Sequence, residues 1–380
     1  MLLGELSPDD FRFPKWRGLG SKVAELYRGT EYEQYSQRMR RCANYLRFKE
    51  VEEIDEIMGV TRTRLVLKAA NFCRVRFCPM CQWRRSMMWH AKVWKKLSYI
   101  LEEYPEHRWI AVTAAPRNCS PKALRQTLKW MNKAKARLLG KAGGHSRTSS
   151  PGKYVYPVVE GYICTTEVTR GKDNSCHPHF HMLLLVKPEY FDKEAELYIP
   201  QQSSDKHKNP GWVELWQEAF GVSYKPTAHV KAISCMGNLS EQISEVLKYN
   251  TKPSAFNYKE SMDENGLITK EFEETREWLL EVTRQVHNAR FIETGGCIKK
   301  ILRGLESEPE NLIHSEDDVD CESGGGETRM FGWIGDNWNG LNLRNYVLVD
   351  DETQEPLISP EDINQEYQSS FTLLDDDLDE

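Results

Sequence analysis

The sequence predicts an α+β fold, a central antiparallel sheet with flanking helices, with a cysteine-rich segment ahead of it. Two apolar runs, Tyr162–Val168 and His177–Val186, are separated only by Arg170–Cys176. The Gly-Lys-Asp-Asn in that gap is turn chemistry, and so short a connection joins antiparallel neighbours, because a parallel pair needs a crossover. The second run opens His177-Pro178-His179-Phe180-His181 and continues Met182-Leu183-Leu184-Leu185-Val186, a strand that enters a buried sheet. Stretches with helical apolar spacing stand on both sides of this pair, which makes the class α+β.

Taken in order, residues 1–60 are mixed and partly helical. Leu65-Val66-Leu67 is a short strand candidate, and Cys73, Cys78 and Cys81 follow. From Gln82 to Glu103 the residues Trp83, Met87, Ala91, Trp94 and Leu101 fall near one stripe, with Arg84, Arg85, Lys92, Lys95 and Lys96 elsewhere, the pattern of an amphipathic helix. Trp109–Thr113 is a strand. Ser120-Pro121 caps and starts a basic helix that runs to Gly140. Gly143–Gly152 is a Gly/Ser-rich loop, and 200–210 a polar one. Asn238-Leu239-Ser240-Glu241 resembles a capping box that opens a helix containing Tyr249 and stopping before Pro253. A further helix spans Lys270–Ala289. Composition then divides the chain into a basic, cysteine-rich region (1–104), a catalytic domain (105–300) and an acidic, flexible region (301–380).

The net charge of −6 over 380 residues conceals a separation of charge. Residues 61–154 carry 21 Lys and Arg against three acids, while 301–380 carry 22 acids against three Arg. A basic segment interleaved with Trp83, Trp89, Trp94, Tyr99, Trp109 and Trp130 suits a polyanion whose bases stack, that is, a nucleic acid. The acidic end is suited to compete with DNA for that surface. No run of eighteen apolar residues occurs, and the N-terminus has acids where a signal peptide is basic. A soluble, cytoplasmic protein without membrane contact is therefore expected. Ten cysteines in a chain of this length do not make a disulfide scaffold, and three within nine positions point to metal in a reducing compartment.

Period two puts His177, His179 and His181 on one face of their strand, with Pro178 and Phe180 on the other. Centring the turn near residue 173 sets Glu167 opposite His179, with side chains about 5 Å apart. Two imidazoles and a carboxylate make an open N/O site for Mn²⁺ or Mg²⁺, and a histidine pair also binds Zn²⁺. Downstream, Glu245, Tyr249 and Lys252 are spaced i, i+4 and i+7, so a carboxylate, a phenol and an ammonium share one helix face. A phenolate attacks a phosphodiester once its proton is drawn off, with Lys252 placed to stabilise negative charge and Glu245 to activate water.

Together these pieces resemble the replication initiator (Rep) proteins of small rolling-circle plasmids, in the HUH endonuclease superfamily. The resemblance covers about residues 40–300. It rests on the Cys- and Arg-rich run Phe72–Arg85, a first strand ending at Val112-Thr113, Glu167-Val168-Thr169, the His179-Phe180-His181 motif and the Y-x-x-K motif Tyr249-Asn250-Thr251-Lys252. The first strand departs from the family in continuing Thr113-Ala114-Ala115-Pro116 instead of a Leu-Thr pair. The resemblance implies an HUH-type sheet, a divalent ion held by His179 and His181 with Glu167 or His177 as third ligand, and origin-specific nicking of single-stranded DNA by Tyr249. The products are a 5′-phosphotyrosine and a 3′-OH primer. It further implies that Glu245, four residues before the single tyrosine, directs water to end the round. Its implied partners are the plasmid's double-strand origin, a host helicase and a DNA polymerase.

Cys73, Cys78 and Cys81 supply three thiolates to a structural Zn²⁺ site, which takes four ligands. Similar Rep proteins point to Cys42 as the fourth, and His90 is the alternative. Arg74, Arg76, Arg84 and Arg85 around the cluster are candidates for phosphate contacts. Three other functions compete. A histidine-triad nucleotide hydrolase shares the His-x-His-x-His pattern, with the middle histidine as nucleophile, yet has no use for the basic segment. A non-enzymatic zinc-dependent DNA binder leaves the histidine strand idle. An HUH transposase or relaxase shares the chemistry, but the length, the single tyrosine and the lack of a helicase-sized extension favour an initiator.

Overall fold

The computed structural model describes residues 1–55, 60–140, 151–193, 198–203, 209–233, 239–247, 253–306, 312–313, 326–335 and 343–357. The chain divides into two compact units, both discontinuous in sequence. One comprises Met1–Met88, Phe256–Arg276 and Glu310–Glu380, the other Trp89–Ala255 and Glu277–Pro309. The division expected from composition ran consecutively along the chain. Pairing between distant segments, which composition does not register, makes both units discontinuous.

The first unit opens with three helices, α1 (Leu3–Leu6), α2 (Arg12–Tyr27) and α3 (Glu33–Arg40), followed by the strands β1 (Tyr45–Asp55) and β2 (Val60–Ala70). The helix α4 (Pro79–Glu103) contains the boundary at Met88. The second unit then runs β3 (Arg108–Ala115), α5 (Leu124–Leu139), α6 (Gly152–Val155), β4 (Val159–Arg170), β5 (Cys176–Val186), α7 (Trp212–Phe220), β6 (Thr227–Ala232) and α8 (Leu239–Val246). Helix α9 (Lys270–Gln285) again crosses the division, and β7 (Ile292–Gly295) and α10 (Gly296–Glu306) belong to the second unit. Finally β8 (Thr328–Ile334) and β9 (Asn345–Val349) rejoin the first. Among the described residues no helix is long and apolar enough to cross a membrane.

In the first unit an antiparallel sheet has the order β2-β1-β8-β9. Phe48 and Phe331 meet edge to face across β1 and β8, and Phe13 of α2 stands edge-on to Trp83 at 4.8 Å. The acidic region, expected to be flexible from residue 301, contains the strands β8 and β9. Met-Phe-Gly-Trp-Ile and Tyr-Val-Leu-Val are short apolar runs whose buried side chains hold them in the sheet despite the acids around them.

The second unit is built on a five-stranded antiparallel sheet of order β6-β3-β5-β4-β7. The histidine strand β5 is the middle strand, and its Met182–Val186 run is buried, because both of its faces are covered. On one face Ile163, Leu183 and Leu185 pack in a common core with Val93 and Leu97 of α4, Ile243 and Val246 of α8, and Ile298 and Leu302 of α10. On the other, Phe180 meets Trp216 of α7 at 6.1 Å, and α5 lies beside it. Helix α5 buries Leu124, Leu128, Met131 and Leu138 at three- and four-residue spacing. It stops where expected, at Gly140, whose φ of 76° is open to glycine and costly for other residues.

Candidate metal centres

The β4–β5 hairpin places the first centre. Its turn closes through Gly171 and Ser175, whose backbone N–H and carbonyl bond at 2.9 Å, with Asn174 in the left-handed region at φ 60°. Asparagine tolerates that conformation better than other residues with a Cβ. Asp173 Oδ1 accepts from the Ser175 amide and hydroxyl, fixing the loop length. The register that follows sets Glu167 opposite His179 and Thr165 opposite His181, so the pairing expected from the turn is the one observed.

Glu167 Oε2 lies 3.1 Å from His179 Nε2 and 2.9 Å from His181 Nε2. The carboxylate is buried, and its other oxygen, Oε1, is buried without a hydrogen-bond partner. Burial on its own raises the Glu167 carboxyl, but the hydrogen bonds to His179 and His181 outweigh it and bring it to about 2. The outer ring nitrogens are also engaged. His179 Nδ1 is 3.1 Å from the carbonyl of His177, and His181 Nδ1 is 3.4 Å from Thr113 Oγ1 on β3, its cross-strand neighbour. A carbonyl only accepts, so Nδ1 of His179 carries the proton, and in a neutral ring Nε2 is then a bare lone pair facing a carboxylate oxygen. Two lone pairs at 3.1 Å call for a cation, either a second proton or a metal ion. The orphaned Oε1 and the fixed outer nitrogens fit a divalent ion held by His179, His181 and Glu167.

His177, the alternative third ligand, is outside this group: its Nδ1 pairs with Asn118 Oδ1 at 2.8 Å. Thr113 and Asn118 were not singled out as site residues in the sequence, since which strand borders β5 depends on topology and no local pattern records it. Thr165 also went unrecognised. Its hydroxyl donates to the carbonyl of Val246, the last residue of α8, at 2.5 Å, tying that helix end to the residue opposite His181, two positions along β4 from Glu167. Glu245 is exposed on the last turn of α8. Tyr249 and Lys252 lie outside the described residues.

The second centre gathers Cys42, Cys73, Cys78 and Cys81. Sulfur separations are 3.6 Å for Cys42–Cys81, 3.6 Å for Cys73–Cys81 and 3.7 Å for Cys42–Cys78. Disulfides need about 2.05 Å, whereas four sulfurs placed tetrahedrally at 2.3 Å from a zinc ion stand about 3.8 Å apart. The amides of Arg74 and Val75 point at Cys81 and Cys73 sulfurs at 3.2 and 3.5 Å, which favours thiolates. Arg74 reaches this arrangement with φ at 57°. Hydrogen bonds from Cys42, Cys78 and Cys81 hold the Cys73 thiol low; the bond to Cys73 pushes Cys42 up, and burial pushes Cys78 up. Four sulfurs at this spacing, with backbone amides aimed at two of them, fit a structural metal ion. Cys42 is thus the fourth member, and His90 is not, its ring stacking on Trp94 at 6.0 Å.

Of the four arginines expected to meet phosphate, Arg84 is a correction. It is buried, its Nε donates to the Leu312 carbonyl at 2.6 Å and a terminal nitrogen to the Ile313 carbonyl, and its guanidinium lies over Phe13, Phe72 and Trp83. The regular spacing of charge gave no sign that this one faces inward. Arg74 is exposed, and Arg76 and Arg85 are half-buried.

An antiparallel α+β protein with a His₂Glu group on the middle strand of one sheet and its neighbour, and a Cys₄ group elsewhere, is the class that fold and geometry define. Comparison narrows this: the profile of the replication protein family matches residues 64–339, and the chain belongs to that family, the Rep initiators of rolling-circle plasmid replication. It is 27% identical over 319 residues to a Protein rep of Streptococcus pneumoniae serotype 2 (strain D39 / NCTC 7466), covering 82% of this chain and 86% of that protein. A Protein rep of Lactiplantibacillus plantarum is 30% identical over 290 residues, with 74% of this chain and 78% of its own length covered. For one from Bacillus amyloliquefaciens the values are 26% over 367 residues, 88% and 93%. No solved structure is significantly similar.

Proposed function

We propose that the chain initiates rolling-circle replication as an HUH-type, single-tyrosine nickase that cuts and rejoins single-stranded DNA at its plasmid's double-strand origin. The observation that carries this is the convergence of His179, His181 and Glu167 on the face covered by α8, the helix that leads into Tyr249. Thr165 fixes the Val246 carbonyl at the end of α8, from which the sequence runs on to Tyr249 three residues later.

His179, His181 and Glu167 would hold Mn²⁺ or Mg²⁺, which when bound polarises the scissile phosphate as a Lewis acid. The Tyr249 oxygen attacks phosphorus, forming the phosphotyrosyl bond as the P–O3′ bond breaks, and the departing O3′ takes up a proton to become the 3′-OH. Lys252 stabilises the phenolate before attack. In the closing cleavage Glu245 takes a proton from water, whose oxygen attacks phosphorus in place of the phenol as the P–O3′ bond breaks; O3′ takes up a proton, and no second adduct forms. The 3′-OH is the primer a host DNA polymerase extends, with a host helicase opening the duplex ahead. The buried Cys₄ group, with no open ligand position, would hold a structural Zn²⁺ that shapes the segment carrying Arg74, Arg76 and Arg85.

The histidine-triad alternative needs its middle histidine free as a nucleophile, and His179 Nε2 instead faces Glu167. Nicking of supercoiled origin plasmid tests the proposal. Excess EDTA is expected to abolish nicking, Mn²⁺ to restore it, and His179→Ala to remove it even with Mn²⁺ present. Undiminished nicking in EDTA would sink the metal role.

A further inference from the structure

The face of the second unit's sheet opposite the histidines carries a separate feature. Side chains alternate along β4, so Thr166 points away from the Glu167 face and lines a groove of about 1160 Å³ between α5 and the segment that follows α9. Six cations line it: Arg125, Lys129, Lys133, Lys135, Arg137 and Arg290. The acid among its lining residues, Glu293, is already paired with buried Lys135 at 2.8 Å. Arg125, Lys129, Lys133 and Arg137 succeed one another at intervals of four on α5, forming one ridge about 18 Å long. Lys129, Lys133 and Arg290 are exposed and meet no carboxylate at ion-pair distance among the described residues.

A ridge of that length is too extended for a mononucleotide and spans several phosphates of a duplex backbone. Of the rings lining the groove, Tyr162 and Phe291 are 7% and 5% exposed and offer no open face for an unpaired base to stack on, which leaves the exposed His287 as the single accessible ring. Single-strand sites combine a basic groove with several stacking rings, so a long cationic ridge with one ring beside it suits the duplex backbone better. We infer that the α5 groove binds the backbone of duplex DNA, on the sheet face opposite the nicking site. The inference rests on the nickase proposal only in taking DNA as the polyanion.

The test measures binding of a short fluorescent duplex of random sequence across a salt series. It compares the full-length chain, a Lys129→Gln/Lys133→Gln/Arg290→Gln variant, and a control with the same loss of charge on α10, Lys299→Gln/Lys300→Gln/Arg303→Gln. Cleavage of a single-stranded nick-site oligonucleotide is followed in parallel. The groove variant is expected to bind duplex at least about tenfold more weakly at low salt, with the slope of log K against log salt shallower by about 2.7. Its single-strand cleavage and the control's duplex binding should match the unmodified chain. Unchanged duplex affinity and slope, an equal loss in the control, or a loss confined to single-stranded DNA would each overturn the inference. Absence of oligonucleotide cleavage by the unmodified chain would count against the nickase proposal alone, because duplex binding is read without it.

Discussion

Glu167 offers one oxygen to two imidazoles and keeps the other buried with nothing to bond, an arrangement that is costly unless a cation completes it. At this scale the sequence was informative: a period of two and a turn of known length suffice to pair Glu167 with His179. It was silent on Thr113 and Asn118, whose roles arise from strands brought in by topology. Glu245, exposed at the end of α8, carries a prediction of its own. Glu245→Ala should leave the first cleavage intact and slow the water-dependent one by about 10²-fold or more, so multimeric single-stranded products accumulate in a plasmid replication assay. Unit-length products at the normal level would refute its role.

Among the elements, the α8–β4 junction matters most to the site. The closing carbonyls of a helix have no partner in its own ladder, and the Thr165 hydroxyl supplies one to Val246. Thr165→Val keeps the shape and removes the donor, leaving a buried carbonyl unpaired at a cost of about 1–3 kcal/mol. A lower Tm and slower single-strand cleavage should follow, with metal affinity at the histidines retained. Equal melting and equal cleavage would show that the tie does not position the helix. The existence of α5, β3, β4 and β5 was legible, because each buries a stripe or face that its sequence period displays; α4 was legible as a helix, but it buries Val93, Leu97 and Ile100, while Trp94, expected on the buried stripe, is exposed. Strand β1 was not recognised, because its Arg, Lys and Glu residues mask the alternation of Leu46 and Phe48, and Val51 falls out of that phase.

On the scale of the whole chain, three of the four clustered cysteines stand out by spacing, while Cys42 lies 31 residues before Cys73 and joins them only through the fold. The unit discontinuities share that origin: β8 pairs with β1 from nearly three hundred positions away, and no local pattern encodes so distant a pairing. A Cys₄ site that supports the first unit predicts one zinc ion per chain by elemental analysis. It also predicts that Cys81→Ser lowers both zinc content and Tm. Protein purified without zinc and melting unchanged after chelation would contradict a structural metal.

The central claim is that Tyr249 of a metal-dependent nickase becomes linked to DNA. Its most direct test incubates the chain and its Tyr249→Phe variant with Mn²⁺ and a 3′-labelled single strand spanning the plasmid's nick site. A denaturant-resistant labelled adduct that forms with the unmodified chain and is lost in the variant is the predicted result. An adduct that persists in Tyr249→Phe, or none on a verified origin strand, would contradict it.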